Sequence, residues 1–153
     1  MLAVLLPVSP PLQAQPTPAE PCSYRRCALG IVPAWNGLLV TKGEAHERLG
    51  NLGFFWTGSL DRHFAGSDSA LGYATRAVKV RRVAAVFTDA GALALGYAAV
   101  RVLTNGALRD EDKVVAAAGA AAFGVSVPLQ FAADGLLSRA IWWKNASYAD
   151  RER

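Results

Sequence analysis

Two apolar stretches, Val83 to Leu103 and Val114 to Phe131, flank the short polar segment Thr104 to Lys113. The first carries Asp89 as its only charge before Arg101, and the second carries none. A helix needs about 20 predominantly apolar residues to cross about 30 Å of hydrocarbon, and both stretches approach that length. The pattern predicts a membrane α-helical hairpin, two transmembrane helices closed by a tight turn. A small β-rich extramembrane segment precedes it.

Charge distribution supports the same division. The chain of 153 residues is 52% hydrophobic and 18% charged, more apolar and less charged than a typical globular domain. Charges are frequent from Arg25 to Arg82 and sparse from Val83 to Ala133. The net charge of +4 comes from basic residues that flank the apolar stretches. They form no stripe interleaved with exposed aromatics, so lipid headgroups are a better partner for them than nucleic acid.

At the N-terminus, Met1 to Val8 is an apolar run followed by Ser9-Pro10-Pro11-Leu12-Gln13-Ala14. It reads as the hydrophobic region and small-residue cleavage site of a secretory signal, residues 1–14. A Pro-rich linker follows over 15–21. Cys22 and Cys27, the only cysteines, are expected to form a disulfide in an exported chain. Haem attachment and a structural zinc site are excluded by the missing C-x-x-C-H pattern and by too few histidines at ligand spacing. No cofactor or metal is implied.

Residues 22–66 are expected to form the extramembrane segment. Ala28 to Val32 and Leu38 to Thr41 are β-rich runs around Asn36-Gly37, a favoured hairpin turn pair. An isolated hairpin is marginal in water, so it must pack on something. Leu49 to Gly58 supplies a third extended run or loop with the aromatics Phe54, Phe55 and Trp56. His63, beside Asp61 and Arg62, lacks a third group at defined spacing to orient it, and His46 between Glu44 and Glu47 fares no better. Both read as surface residues, and no catalysis is assigned.

Residues 67–147 form the lead-in and hairpin. Gly66-Ser67-Asp68 offers N-cap chemistry, and Arg76, Lys79, Arg81 and Arg82 cluster ahead of the apolar core. A central Asp costs about 2.5–3.5 kcal/mol to insert, and the eight large apolar residues of the first stretch together return roughly 2.4–4.8 kcal/mol. Asp89 is therefore expected to face its partner helix or another subunit. Closing an antiparallel hairpin near Ala107-Leu108 pairs positions whose numbers sum to about 215. Asp89 then faces Ser126, whose hydroxyl can donate to it, and Asp134 faces Arg81 or Arg82. Gly91, Ala92, Gly96 and Ala99, with Ala117, Ala118, Ala121 and Gly124, are small enough for close helix approach.

Asp110-Glu111-Asp112 suits the positive end of the second helix, and Pro128 is expected to kink it. Trp142, Trp143 and Lys144 have the form of an interfacial anchor with a basic stop. Residues 148–153 form a charged tail.

Orientation is pulled two ways. A cleaved signal and a disulfide put the N-terminal segment in the periplasm, whereas the basic residues at the hairpin's open end favour the cytoplasm. Translocated domains cross largely regardless of charge, which tips the reading to a bacterial inner-membrane protein with a periplasmic N-terminal segment. The function expected is non-catalytic: an accessory or scaffold subunit of an envelope complex, its partners being the lipid bilayer and other membrane subunits or further copies of itself. The alternative is a homo-oligomeric channel or ion-conducting ring using Asp89.

Overall fold

The computed structural model describes residues 22–55 and 58–149. The segments read as signal and linker, Trp56, and the charged tail from residue 150 lie outside them. Two long helices pair over their whole length, and a three-stranded antiparallel sheet packs beside one end of the pair.

A single helical turn, α1 (Tyr24–Cys27), leads into β1 (Leu29–Ala34), β2 (Gly37–Lys42) and β3 (Glu47–Gly53). Strand order follows the sequence, with β2 central. Ala34 pairs with Gly37, so the two-residue loop is Trp35-Asn36, one position earlier than the Asn-Gly pair suggests. Pro33 is accommodated because β1 is an edge strand, where a missing N–H is tolerated. Asn36 is buried: its side-chain and backbone oxygens both accept from the Phe54 N–H, at 3.2 and 3.1 Å. This fixes the β1–β2 loop to the end of β3.

After the short α2 (Asp61–Phe64), α3 spans Asp68–Asn105 (38 residues) and α4 spans Asp110–Ala149 (40 residues). At 1.5 Å per residue these are about 57 and 60 Å long, twice what a bilayer core requires. Gly106 ends α3 in the left-handed conformation at φ 75°, donating its N–H to the Val102 carbonyl, a glycine-specific C-terminal stop. Ser67 stands at the start of α3 without a side-chain cap hydrogen bond. The second helix runs unbroken through Pro128 and extends to Ala149, so Tyr148 is helical, not tail.

The seam between the helices follows a seven-residue repeat. Ala70, Ala77, Ala84, Gly91 and Ala98 are all buried on α3; Asp112, Gly119, Ser126, Ala133 and Ala140 are all buried on α4. A sustained heptad of this kind is the pattern of a left-handed coiled coil, here filled mainly by small residues. The backbones come close: a Cβ on Gly119 would lie 2.7 Å from the Ala94 Cβ, and one on Gly91 would lie 2.9 Å from the Gly119 carbonyl. Most of the small residues picked out for this contact, Ala92, Gly96, Ala99, Ala117, Ala118, Ala121 and Gly124, are exposed. The position of the turn fixes depth along the helices but not rotation about them.

Among the described residues, large apolar side chains are buried only at the sheet end. Leu29, Val40, Leu52, Leu60 and Phe64 pack against Ala74, Val78, Leu137 and Ile141. Beyond Val83 and before Ala133, residues such as Val86, Leu93, Leu103, Val114 and Phe131 remain exposed.

Candidate functional site

Two ionic layers bound this exposed apolar zone. At the sheet end, Arg81 donates from Nη2 to Asp134, forming an ion pair. The Arg81 side chain is fully buried, its guanidinium lies 5.5 Å from the centre of the Phe54 ring, and its Nε and Nη1 find no partner among the described residues. Arg82, the other candidate for Asp134, is exposed. At the closed end, Asp112 is buried and accepts from Tyr97 Oη at 3.1 Å and Arg101 Nε at 3.3 Å. It also reaches back to the Arg109 N–H at 3.2 Å, the return half of a capping box. From Arg81 to Arg101 is about 20 residues, or about 30 Å of helix.

Asp89 departs from expectation. It is exposed and faces away from α4, and Ser126 is buried in the seam with its hydroxyl donating to the Phe123 carbonyl at 2.7 Å. The polar link across the helices is made one residue earlier. Gln130 Nε2 donates to Thr88 Oγ1 at 3.0 Å, and Thr88 Oγ1 donates to the Ala84 carbonyl. The physical reason is rotation: Thr88 follows Ala84 by four residues and shares its buried face, and a residue one further on is turned by about 100°. Asp89 instead shares an outward face with Ala92, Leu93 and Gly96, where nothing lies within 4 Å of the position a Gly96 Cβ would take.

Lys144 also departs. Its side chain is buried, donates to the Ala65 carbonyl and lies 5.5 Å from the Tyr148 ring, so it locks α4 to the loop after α2 and is not a free basic stop. Trp142 and Trp143 are exposed, their rings edge to face at 4.9 Å. They sit about 12–14 Å of helix beyond Asp134, level with the sheet.

Cys22 and Cys27 are joined in a disulfide, which closes a short loop around the single turn α1, just ahead of β1. His46 takes a left-handed conformation, φ 51°, with Nδ1 2.9 Å from the Glu44 carbonyl. His63 Nε2 accepts from Arg62 Nε at 3.2 Å. Partial burial, then the neighbouring Arg62 charge, holds the His63 imidazole below its usual pKa. Among the described residues no three His, Cys, Asp or Glu come together as a metal would require.

The residue that sequence reasoning passed over is Asn145. Its amide makes both hydrogen bonds to the Leu29 backbone, accepting from the N–H at 2.7 Å and donating to the carbonyl at 2.9 Å. Asn145 carries no sequence mark of its own, but the seven-residue recurrence of small residues, Asp112 aside, does predict that α4 stays helical past Ala140. Comparison of the chain with family models, curated proteins and solved structures finds no match.

Proposed function

We propose that the chain is a non-catalytic integral membrane protein of the bacterial cell envelope, an accessory or scaffold subunit whose sheet-bearing head stands outside the bilayer on a two-helix stalk. One observation carries this reading: the two interhelical ion pairs lie about 30 Å apart along the helix axis, the thickness of bilayer hydrocarbon, and the large apolar side chains between them are exposed. A periplasmic head is supported by the Cys22–Cys27 disulfide. The opposing charge count loses force, because two of the basic residues at that end, Arg81 and Lys144, are buried within the fold.

Purification from native membranes in mild detergent, followed by mass spectrometry of what travels with the chain, tests the reading. Stoichiometric foreign membrane subunits are expected. Release of the chain by alkaline carbonate without detergent overturns the membrane assignment.

A second reading, a homo-oligomeric channel or ion-conducting ring, is favoured by Asp89. Its carboxyl is exposed near the middle of the apolar zone, where an unpartnered charge is costly. A second copy could bring a hydrogen-bond donor to the Asp89 carboxylate. Asp89→Asn separates the readings: a conducting path is lost, whereas an assembly contact keeps a hydrogen-bond acceptor and survives.

A further inference from the structure

The head is polar at one end and apolar at the other, and its apolar end points along the helices toward the exposed apolar zone. Leu29, at the start of β1, is held by Asn145, about 11 residues, or about 16 Å of helix, beyond Asp134. From there β1 runs about 17 Å to Ala34. Its far end is tied to the Arg81–Asp134 layer by contacts in series: Asn36 accepts from Phe54, and Phe54 covers the Arg81 guanidinium. The two lengths agree, so the β1–β2 loop lies level with the upper boundary of the apolar zone.

What projects there is apolar. Val32, Pro33, Ala34 and Trp35 are four consecutive exposed residues, Trp35 being 85% exposed, and Phe55 beside them is exposed as well. No charge occurs from Ala28 to Thr41, and Arg25, Lys42, Glu44 and Glu47 gather at the opposite end of the sheet, while Arg48 lines the groove that Trp35 borders. A tryptophan this exposed on a loop this well fixed is poorly explained as head packing. It suits the headgroup layer, where an amphipathic ring keeps its body in acyl chains and its N–H in the polar region.

We propose that the Trp35 loop is a membrane-surface anchor: it inserts into the headgroup and upper acyl region of the leaflet beneath the head, fixing the head's tilt against the bilayer. The occupant is lipid, and the proposal rests on the reading that the hairpin spans a membrane. The anchor differs in kind from the Trp142–Trp143 pair, which sits too far along α4 to reach the same layer while the head is upright.

The test is depth-dependent fluorescence quenching in vesicles. The full chain with Trp56→Phe, Trp142→Phe and Trp143→Phe keeps Trp35 as its only tryptophan. It is reconstituted into phosphatidylcholine–phosphatidylglycerol vesicles whose acyl chains are brominated either near the headgroup or near the methyl end. A second chain lacking all four native tryptophans and carrying Leu93→Trp reports the deep hydrocarbon. Trp35 is expected to lose most of its emission to the shallow bromines, little to the deep ones and little to aqueous acrylamide, with Leu93→Trp showing the reverse depth order. Trp35 open to acrylamide and untouched by either bromine, while Leu93→Trp is quenched, overturns the anchor and leaves the membrane hairpin standing. Neither residue quenched by lipid overturns both. If the triple substitution impairs folding, the difference between the native chain and Trp35→Phe gives the same readout.

Discussion

The side-chain amide of Asn145, in the last turns of α4, pairs with the backbone N–H and carbonyl of Leu29 at the start of β1, 116 residues away in sequence. The amide supplies what a neighbouring strand would have supplied to this edge, satisfying groups that an edge strand otherwise leaves open. It also closes the head onto the stalk, since the first strand is pinned to the last helix.

Asn145→Ala removes both bonds and leaves two partly buried backbone groups of Leu29 without their partners. The expected loss is about 1–3 kcal/mol, read as earlier thermal unfolding in detergent and faster proteolysis of the Gly43 to His46 loop. Asn145→Asp keeps the acceptor for the Leu29 N–H but sets a carboxylate oxygen against the Leu29 carbonyl, so it should restore little of what Ala loses.

Removing Asp134 alone leaves the Arg81 guanidinium buried with no counter-charge. Asp134 is itself 30% exposed, so Asp134→Ala should cost about 3 kcal/mol, the lower end for breaking a buried pair. Replacing the pair by Arg81→Met with Asp134→Leu should restore much of that stability. Chemical denaturation of the purified protein in detergent, run as a double-mutant cycle, checks both expectations.

Close approach of the helices depends on Gly119. An added methyl would meet the Ala94 Cβ at 2.7 Å, well inside van der Waals contact. Gly119→Ala should therefore destabilise the pair by about 1–3 kcal/mol through overpacking, whereas Gly124→Ala, which meets nothing within 4 Å, should leave the stability of the isolated chain unchanged.

The Cys22–Cys27 loop is short, so reduction should cost about 2 kcal/mol, the low end of the usual range. Cys27, the last residue of α1, is buried, and the effect should appear as a lower unfolding temperature of the head with the helical signal of the stalk retained.

Composition and hydropathy carried the coarse plan of this chain, because stretches as apolar as Val83 to Leu103 and Val114 to Phe131 have few other solutions than long helices, and because Asn36-Gly37 announces a hairpin. Depth was legible too: a helix rise and a short turn suffice to bring Arg81 level with Asp134. Rotation about the helix axis was not. Ala and Gly occur on all sides of both helices, so the seam had to be found from the recurrence of small residues every seven positions, and a one-residue error turns Asp89 from the seam to the outside while putting Thr88 within it. The Asn145–Leu29 clamp was illegible for another reason, since a side chain that pairs with backbone leaves no residue-type signature in its partner.

The most direct test of the hairpin's disposition is the reactivity of single added cysteines toward a membrane-impermeant maleimide applied to intact cells with a permeabilised outer membrane; the native pair is oxidised and unreactive. Arg76→Cys should react, Ala107→Cys should react only once the inner membrane is breached, and Leu93→Cys should stay unreacted until detergent is added. Leu93→Cys reacting as fast as Arg76→Cys in intact membranes would contradict the assignment of the zone between the two ion pairs to hydrocarbon.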